Sequence, residues 1–454
     1  MACSSDDRDN FVLSGVTPRT GKACMTIDER TDHRLPPVVD LMPPGARLDG
    51  ERLVIGGQLA SELADSFGTP ALIIDEVALR ARARRYADGL AARWPNSQVV
   101  WASKSLPCTA IYRIMGEEGL GIDVAGGGEL VMALAGGVDP SRFVLHGNAK
   151  TDSELAMALE AGVGTVVIDN LDDVERLERL SSREQGVLIR VIPDVATATH
   201  DAIATGHQNS KFGLPIPEAR ALVERLRGSD RLRLDGLHVH IGSQILDVAP
   251  FARAVEAIAA LGEFEVYDLG GGLGARYTYD DHPPAIESYL DTLTDAARRF
   301  LPASARLLIE PGRSMIAETG VTLYRVVSVK RGARRTFVAV DGGMGDNLEV
   351  SLYGQRFEAT MADRVGGGEN YTVVGRHCES GDQLIESVAL RDPAVGDVLA
   401  VAVTGAYCLT MANNYNGALR PPIVLVASEG ARLALRRETY EDLLDRDIVA
   451  PPPS

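Results

Sequence analysis

Gln98-Val-Val-Trp-Ala-Ser-Lys104 is an apolar run that ends on a lysine, and it is the first of eight such runs in the chain. The others cover 120–124, 142–145, 165–168, 187–192, 234–241, 264–269 and 306–309. Between them lie amphipathic stretches at 108–118, 128–135, 153–161, 171–180, 216–226, 249–261 and 284–300. Short apolar runs alternating with apolar stripes of helical period predict β/α units. Eight of them over about 215 residues predict an α/β fold of the (β/α)8 barrel type, because an open doubly wound sheet usually has fewer strands.

In such barrels chemistry gathers at the carboxyl ends of the strands. Here those ends read Lys104, Asp123, His146-Gly-Asn148, Asp169, Pro193-Asp194, His240, Gly270-Gly-Gly272 and Glu310. Lys104 has two readings. Burial disfavours the ammonium, so a lysine ending a buried strand is expected to be neutral enough to attack a carbonyl; the alternative is a lysine that snorkels to the rim.

After Arg313 the texture changes to short β-type runs without helices between them, at 321–329, 336–340, 371–374, 397–403 and 423–426. This predicts an all-β domain of Greek-key or sandwich-like type, closed by a helix over 438–446. The segment 51–74 holds one strand-like run and a short helix and is assigned to the same domain. The predicted organisation is a flexible extension over 1–45, rich in Asp, Thr, Arg and Pro, a barrel over 71–313, and a β domain made of 46–70 and 314–454.

Composition narrows the function. The chain has 46 Lys and Arg against 63 Asp and Glu, a net charge of −17, and no basic run offsets it, which argues against nucleic acid as a partner. Its five cysteines lack C-x-x-C spacing and are too few for a disulfide scaffold, so a reducing cytoplasm is expected. No apolar run approaches the roughly 18–20 residues of a membrane span, and the polar start Met1-Ala-Cys-Ser-Ser-Asp-Asp lacks the regions of a signal peptide. A soluble enzyme with no membrane partner is expected.

Four further motifs carry chemistry. Asp268-Leu-Gly270-Gly-Gly272-Leu-Gly274 is either a glycine cradle that lets backbone N–H groups approach a phosphate or a tight strand-to-helix turn; it is not G-x-G-x-x-G, which disfavours a dinucleotide. Gly236-Leu-His238-Val-His240-Ile-Gly242-Ser243 puts two histidines on one face of a strand. They suit a zinc site, a structural pair, or a ring stacked on a planar cofactor with the Ser243 hydroxyl on its phosphate; no further ligands follow, so no metal is expected. Glu310-Pro-Gly-Arg313 offers a carboxylate and a planar guanidinium that can meet phosphate or carboxylate, or else a surface ion pair. Gly375-Arg-His377-Cys378-Glu379-Ser-Gly-Asp382 sets a thiol between an imidazole and carboxylates, where it can deliver a proton.

Taken in order, Lys104, His146-Gly-Asn-x-Lys150, Ser210-Lys-Phe-Gly213, His240-Ile-Gly-Ser243, Gly270–Gly272, Glu310-Pro-Gly-Arg313, Asp341-Gly-Gly343, Cys378-Glu-Ser380 and Gly405-Ala-Tyr407 resemble the diaminopimelate decarboxylases, over about residues 46–430. The resemblance implies an alanine-racemase-like fold and pyridoxal 5′-phosphate as cofactor. It implies that Lys104 holds the cofactor covalently, His240 stacks on its ring, Ser243, Gly272 and Arg313 hold its phosphate, and Glu310 pairs with its pyridine nitrogen, keeping the ring a strong electron sink. Tyr407 also belongs to the cofactor site. The substrate is implied to meet Arg313, Tyr353, Glu379 and Tyr407. Cys378, as proton donor, and Glu379 are implied to come from the other subunit of a homodimer with shared active sites.

The implied activity is decarboxylation of meso-2,6-diaminopimelate to L-lysine and CO2. The alternatives are a decarboxylase of another basic D-amino acid, such as D-lysine or D-ornithine, and, further off, a racemase, a non-catalytic homologue or a zinc hydrolase. One departure bears on the choice. In Asp346-Asn-Leu-Glu349-Val-Ser-Leu-Tyr353-Gly354 the chain carries Glu349 where the family usually has an arginine for the substrate's distal carboxylate. Arg313, Arg356 and Arg376 are the candidates to compensate it.

Overall fold

The computed structural model describes residues 37–195 and 210–448. All eight expected barrel strands form: β1 Ser97–Ala102, β2 Gly121–Val124, β3 Phe143–Leu145, β4 Thr165–Ile168, β5 Gln185–Ile192, β6 Leu232–Val239, β7 Val266–Asp268 and β8 Arg306–Ile309. They pair in parallel in the order β5-β6-β7-β8-β1-β2-β3-β4, and β4 pairs back to β5, closing the barrel. Because every strand is covered on both faces, most read as near-continuous apolar runs, which explains their visibility in the sequence. Val100, Val144, Val167, Leu188 and Leu308 form a cluster of their own.

The helices between the strands close with local signals. Thr151 caps Asp152–Ala161 in a reciprocal capping box with Glu154, and Gly162 ends that helix at φ 80°. Asn170 caps Leu171–Leu180 by accepting from the Asp173 N–H at 3.0 Å. One helix escapes the sequence reading. Glu76–Arg93 buries Leu79, Ala83, Tyr86 and Leu90 on one stripe, but its alternating Arg and Ala hide that period.

The domain boundary falls elsewhere than expected. Ala71–Asp75, where the range given to the barrel overlaps the segment 51–74 given to the β domain, pairs antiparallel with Gly320–Arg331 and parallel with Ile423–Ala427, so it is a central strand of the β unit. Asp75 then accepts the Ala78 N–H at 2.9 Å and starts the helix that leads into the barrel. The expected all-β unit forms, with mixed pairing: Thr336–Val340 also pairs in parallel with Glu369–Val374. Gly320–Arg331 threads it, carrying Val398–Ala402 along its first half and Thr336–Val340 along its second. The strands Gln383–Leu390 and Gly430–Leu435 were not anticipated; their alternation of apolar and exposed residues is interrupted by register shifts and charged positions.

Of the expected N-terminal extension, residues 1–36 lie outside the described residues, as do 449–454 at the other end. Residues 37–42 are part of the core: Pro37–Leu41 is a 3-10 helix, and Val38, Val39, Leu41 and Met42 are buried. Among the described residues, no helix is long and apolar enough to cross a membrane.

Lys150, from the His146-Gly-Asn-x-Lys motif, is a structural residue. Its Nζ lies 2.7 Å from Asp173 Oδ2 and donates to the Gly147 carbonyl at 2.7 Å, while Asp173 Oδ2 also accepts the Asp169 N–H at 3.0 Å. The pair is buried and ties together the loops after β3 and β4. Removing Lys150 leaves Asp173 with Arg176 Nη2 at 3.3 Å as its remaining side-chain cation, so Lys150→Met is expected to cost about 2–3 kcal/mol in urea unfolding. A loss below about 1 kcal/mol would show that the pair bears no such weight.

Candidate active site

A cavity of about 450 Å³ opens at the carboxyl ends of the barrel strands. Lys104, Asp123, His146, Arg190, His238, His240, Ser243, Gly272, Glu310, Arg313, Tyr353 and Tyr407 all line it. A second groove, of about 640 Å³, lies on the β unit beside Arg334, Arg335 and Arg356. Among the described residues it contains neither lysine nor histidine, so the chemistry expected from sequence belongs to the barrel cavity.

Lys104 stands in the 3-10 turn Ser103–Ser105 directly after β1. Its side chain is exposed to the cavity but surrounded by protein. Burial pushes its pKa down, yet Tyr407, Asp123 and Glu310 together outweigh burial and move it up. The expected neutral amine is thereby corrected. In a cavity shared with carboxylates, opposite charge beats desolvation and the ammonium is favoured.

The turn that carries Lys104 is held by the β unit. Ser105 O accepts both the Tyr407 N–H at 2.8 Å and the Thr410 hydroxyl at 2.9 Å. Tyr407 sits at φ 61°, a left-handed conformation unusual for a non-glycine residue and one that the surrounding contacts must hold in place.

Opposite in chemistry to Lys104 is a buried cluster around Glu310. His146 Nε2 lies 2.6 Å from Glu310 Oε1, and His238 Nε2 lies 3.2 Å from Oε2. Burial raises the Glu310 pKa, but His146 and His238 more than reverse this and hold the carboxylate ionised. Burial lowers the His146 pKa, and Glu310 and Asp123 turn the balance upward. Burial drives His238 down to about 4, so this imidazole is neutral. Asp268 is raised well above the carboxylate range by burial and by Glu310 beside it. The cluster therefore favours an imidazolium at His146 and a carboxylate at Glu310, with Asp123, pushed up to about 6 by burial, 3.8 Å from His146 on its other side.

His238 and His240 share a face of β6 and both line the cavity, as their alternation predicted. His240 Nδ1 accepts the Gly271 N–H at 3.1 Å, which leaves the ring's proton on Nε2. Burial, with Lys104 and Arg190 nearby, keeps it neutral. The glycines are needed for close packing: a Cβ on Gly271 would stand 2.0 Å from Glu310 O, and one on Gly272, at φ 117°, 2.5 Å from Gly242 O. Gly272 also lines the cavity.

Arg313 is anchored rather than free. Its Nε donates to Ser243 Oγ at 3.2 Å, its Nη1 to Glu349 Oε1 at 3.0 Å and to the Tyr277 hydroxyl, and its Cζ lies 4.6 Å over the Tyr407 ring. Glu349, the departure from the family pattern, is thus buried and compensated by Arg313; Arg356 instead faces Asp280 at 3.4 Å on the surface.

Cys378 and Glu379 do not line this cavity; both are exposed on the β unit. The Cys378 N–H donates to Asn416 Oδ1 at 2.8 Å. The neighbouring imidazole is engaged elsewhere: His377 Nδ1 lies 2.8 Å from Asp382 Oδ2, and its ring stacks on Tyr415.

His146, His238, Asp268 and Glu310 are also close enough together to invite a metal reading, with ligand atoms all within 4.8 Å of one another. The distances favour an ion pair. Two donors on one zinc, each about 2.0–2.1 Å from it, stand about 3.3 Å apart in a tetrahedron. The 2.6 Å between His146 and Glu310 is shorter than that.

Residues 77–317 match the family model described as the pyridoxal binding domain of pyridoxal-dependent decarboxylases. The chain is 46% identical over 421 residues to a diaminopimelate decarboxylase of Actinosynnema pretiosum subsp. auranticum, covering 90% of this chain and 95% of that one. It is 41% identical to that of Bacillus subtilis, over 87% of this chain and 95% of the relative. The chain belongs to the diaminopimelate decarboxylase family. The crystal structure of the M. jannaschii diaminopimelate decarboxylase in co-complex with L-lysine superposes with a TM-score of 0.84 at 31% identity, over 89% of this chain and 98% of that one.

Pyridoxal 5′-phosphate is the cofactor of this family member, and the residues present fit it. An amine for an aldehyde, an ionised carboxylate for a pyridinium, a neutral imidazole, and glycine N–H, hydroxyl and guanidinium groups for a phosphate all meet in one cavity. Glu310 Oε1, buried, has no aligned hydrogen-bond donor among the described residues.

Asp123, His146, Arg190 and His238 line the cavity too, without having been chosen as site residues. Arg190 had a signal: it is the lone charge in the buried run Val187-Leu-Ile-Arg-Val-Ile192, where only a partner such as Asp169, 3.9 Å away, or a ligand makes a charge tolerable.

His238 gives the protein an acid-sensitive stability. Its folded pKa of about 4 lies below the ordinary 6.5, so between those values the unfolded chain takes up a proton that the folded one refuses. Stability falls as pH drops through this window, and His238→Gln is expected to recover about 2–3 kcal/mol of that loss at pH 4.5 relative to pH 7. An unchanged pH 7 to 4.5 difference in urea unfolding would contradict the neutral assignment.

Proposed function

We propose that this chain decarboxylates meso-2,6-diaminopimelate at its D-centre, releasing CO2 and L-lysine. The observation that carries the proposal is the single cavity in which Lys104 and an ionised Glu310 both stand, in a chain 46% identical to a diaminopimelate decarboxylase. The bound cofactor supplies an electron sink for the pair left when the C–COO⁻ bond breaks.

The chain's own residues do the rest. Lys104 is the attachment point for the aldehyde. Glu310, kept ionised by His146, holds a proton on the pyridine nitrogen. His240, fixed by the Gly271 N–H, offers a flat neutral face to the ring. Ser243 and Gly272 take the phosphate, with Arg313, Tyr353 and Tyr407 at the substrate's end of the cavity. The electron pair left by CO2 is finally quenched by a proton, and among the described residues no thiol lines the cavity. Cys378 of the partner subunit supplies that proton, with Glu379 of the partner subunit at the distal ammonium, in a homodimer with shared sites. Exposure of both residues on the β unit supports this arrangement. The described cysteines are all free thiols, which suits a reducing cytoplasm.

Purified protein loaded with pyridoxal phosphate should release CO2 and L-lysine from meso-diaminopimelate with a higher kcat/KM than it shows for D-lysine or D-ornithine; the reverse order would overturn the proposal. Borohydride should fix the cofactor on the peptide containing Lys104, and labelling of another lysine would remove Lys104 from its role.

The shared site has its own test. Lys104→Ala and Cys378→Ala homodimers should each be nearly inactive, and mixing them with statistical subunit exchange should restore about a quarter of all sites, because one site of each heterodimer has both groups. No recovery after demonstrated exchange would place Cys378 in the same subunit's site or outside the mechanism.

A further inference from the structure

Both guanidinium groups that face the cavity have a carboxylate of their own. Arg190 lies 3.9 Å from Asp169, and Arg313 lies 3.0 Å from Glu349. The second pair is the closer and the more deeply enclosed: Glu349 is 1% exposed and Arg313 6%. A guanidinium recognises a carboxylate best through two parallel N–H donors on one edge. On Arg313, Nε is engaged by Ser243 and Nη1 by Glu349 and Tyr277, so only Nη2 has no partner among the described residues. Neither bidentate edge is free. Arg313 offers an incoming anion one nitrogen, and the charge behind that nitrogen is already neutralised.

Glu349 begins the helix Glu349–Tyr353, whose last residue, Tyr353, lines the cavity. The wall of the cavity is therefore an oriented ion pair, a cation with an anion held behind it. In a poorly solvated site the net charge of such a wall decides which end groups it accepts, because Coulomb energies there are several-fold larger than in water. A net-neutral pair suits an end group that is itself neutral overall but carries both signs. It gains little from a lone carboxylate.

We propose that Glu349 is a positioning residue that sets substrate charge specificity: by neutralising and pinning Arg313 it makes the site select a distal end bearing an ammonium and a carboxylate on one carbon, over a distal end bearing a carboxylate alone. This rests on the diaminopimelate reading and deepens it. Glu349 acts through Arg313 and does not itself touch the substrate.

Three amino acids differ only at the distal carbon: meso-diaminopimelate carries both groups, D-2-aminopimelate only the carboxylate, and D-lysine only the ammonium. Their dissociation constants are read from the cofactor's absorbance on rapid mixing with the holoenzyme, alongside turnover. The wild type should bind meso-diaminopimelate more tightly than either of the others. Glu349→Gln unmasks Arg313, and the ratio of affinities for D-2-aminopimelate over D-lysine should rise by at least about tenfold. Glu349→Asp keeps the charge and should leave that ratio within about threefold of wild type, as expected of a conserved charge.

Because a ratio is read within one protein, a smaller folded fraction does not alter it. A ratio that moves in neither variant, or equally in both, overturns the assignment. If Glu349→Gln does not fold, tighter wild-type binding of D-2-aminopimelate than of meso-diaminopimelate overturns it as well. Wild type that binds all three in the expected order but does not decarboxylate meso-diaminopimelate sinks the functional reading alone.

Discussion

Glu310 is a carboxylate, 5% exposed, that keeps its charge because His146 stands 2.6 Å away carrying the opposite one. Taking a lone carboxylate out of water costs several kcal/mol, so without that imidazole the group would protonate and lose the property the site needs. The neighbours are arranged around this constraint. His238 is neutral and caps the second oxygen, and Asp268 is driven to hold its proton, so neither adds charge beside Glu310. The glycine run follows from it as well. The Glu310 N–H donates to Gly270 O at 2.7 Å, and a Cβ on Gly271 would stand 2.0 Å from Glu310 O, so the ends of β7 and β8 meet only with glycine between them.

The barrel alone does not complete this site. Tyr407 and Thr410, both from the β unit, hold the carbonyl of Ser105 next to Lys104, and Glu349 holds Arg313. The strand Ala71–Asp75, embedded in the β sheet and leading straight into the helix Glu76–Arg93, makes the junction rigid on the other side. Lys104 and Arg313 are thus positioned by a sheet that follows the barrel in sequence. This explains why the two units share one continuous core cluster.

The barrel was legible because strands buried on both faces stand out as apolar runs, and all eight were found within a few residues. The residues facing the cavity were legible for the same reason: Lys104, Glu310 and the His238/His240 pair interrupt or end runs that are otherwise apolar. What the sequence hid was long-range. Nothing local in Ala-Leu-Ile-Ile-Asp75 says that its partners are Gly320–Leu323 and Ile423–Val426. Lys104's charge was misjudged for a related reason, since desolvation is a property of one residue whereas Asp123 and Glu310 reach it only through the fold. Glu349 stands out by sequence as a departure that Arg313, Arg356 or Arg376 could compensate, and the structure pairs it with Arg313. His377 stands beside Cys378 in sequence, but Asp382, five residues on, captures its ring.

The central claim, that a buried and histidine-supported Glu310 keeps the cofactor's ring nitrogen protonated, is tested most directly by 15N NMR of the protein loaded with ring-labelled pyridoxal phosphate. The account predicts a pyridinium shift that persists well above neutral pH in the wild type and is lost in Glu310→Gln. A neutral-pyridine shift in the wild type at pH 7 would contradict it.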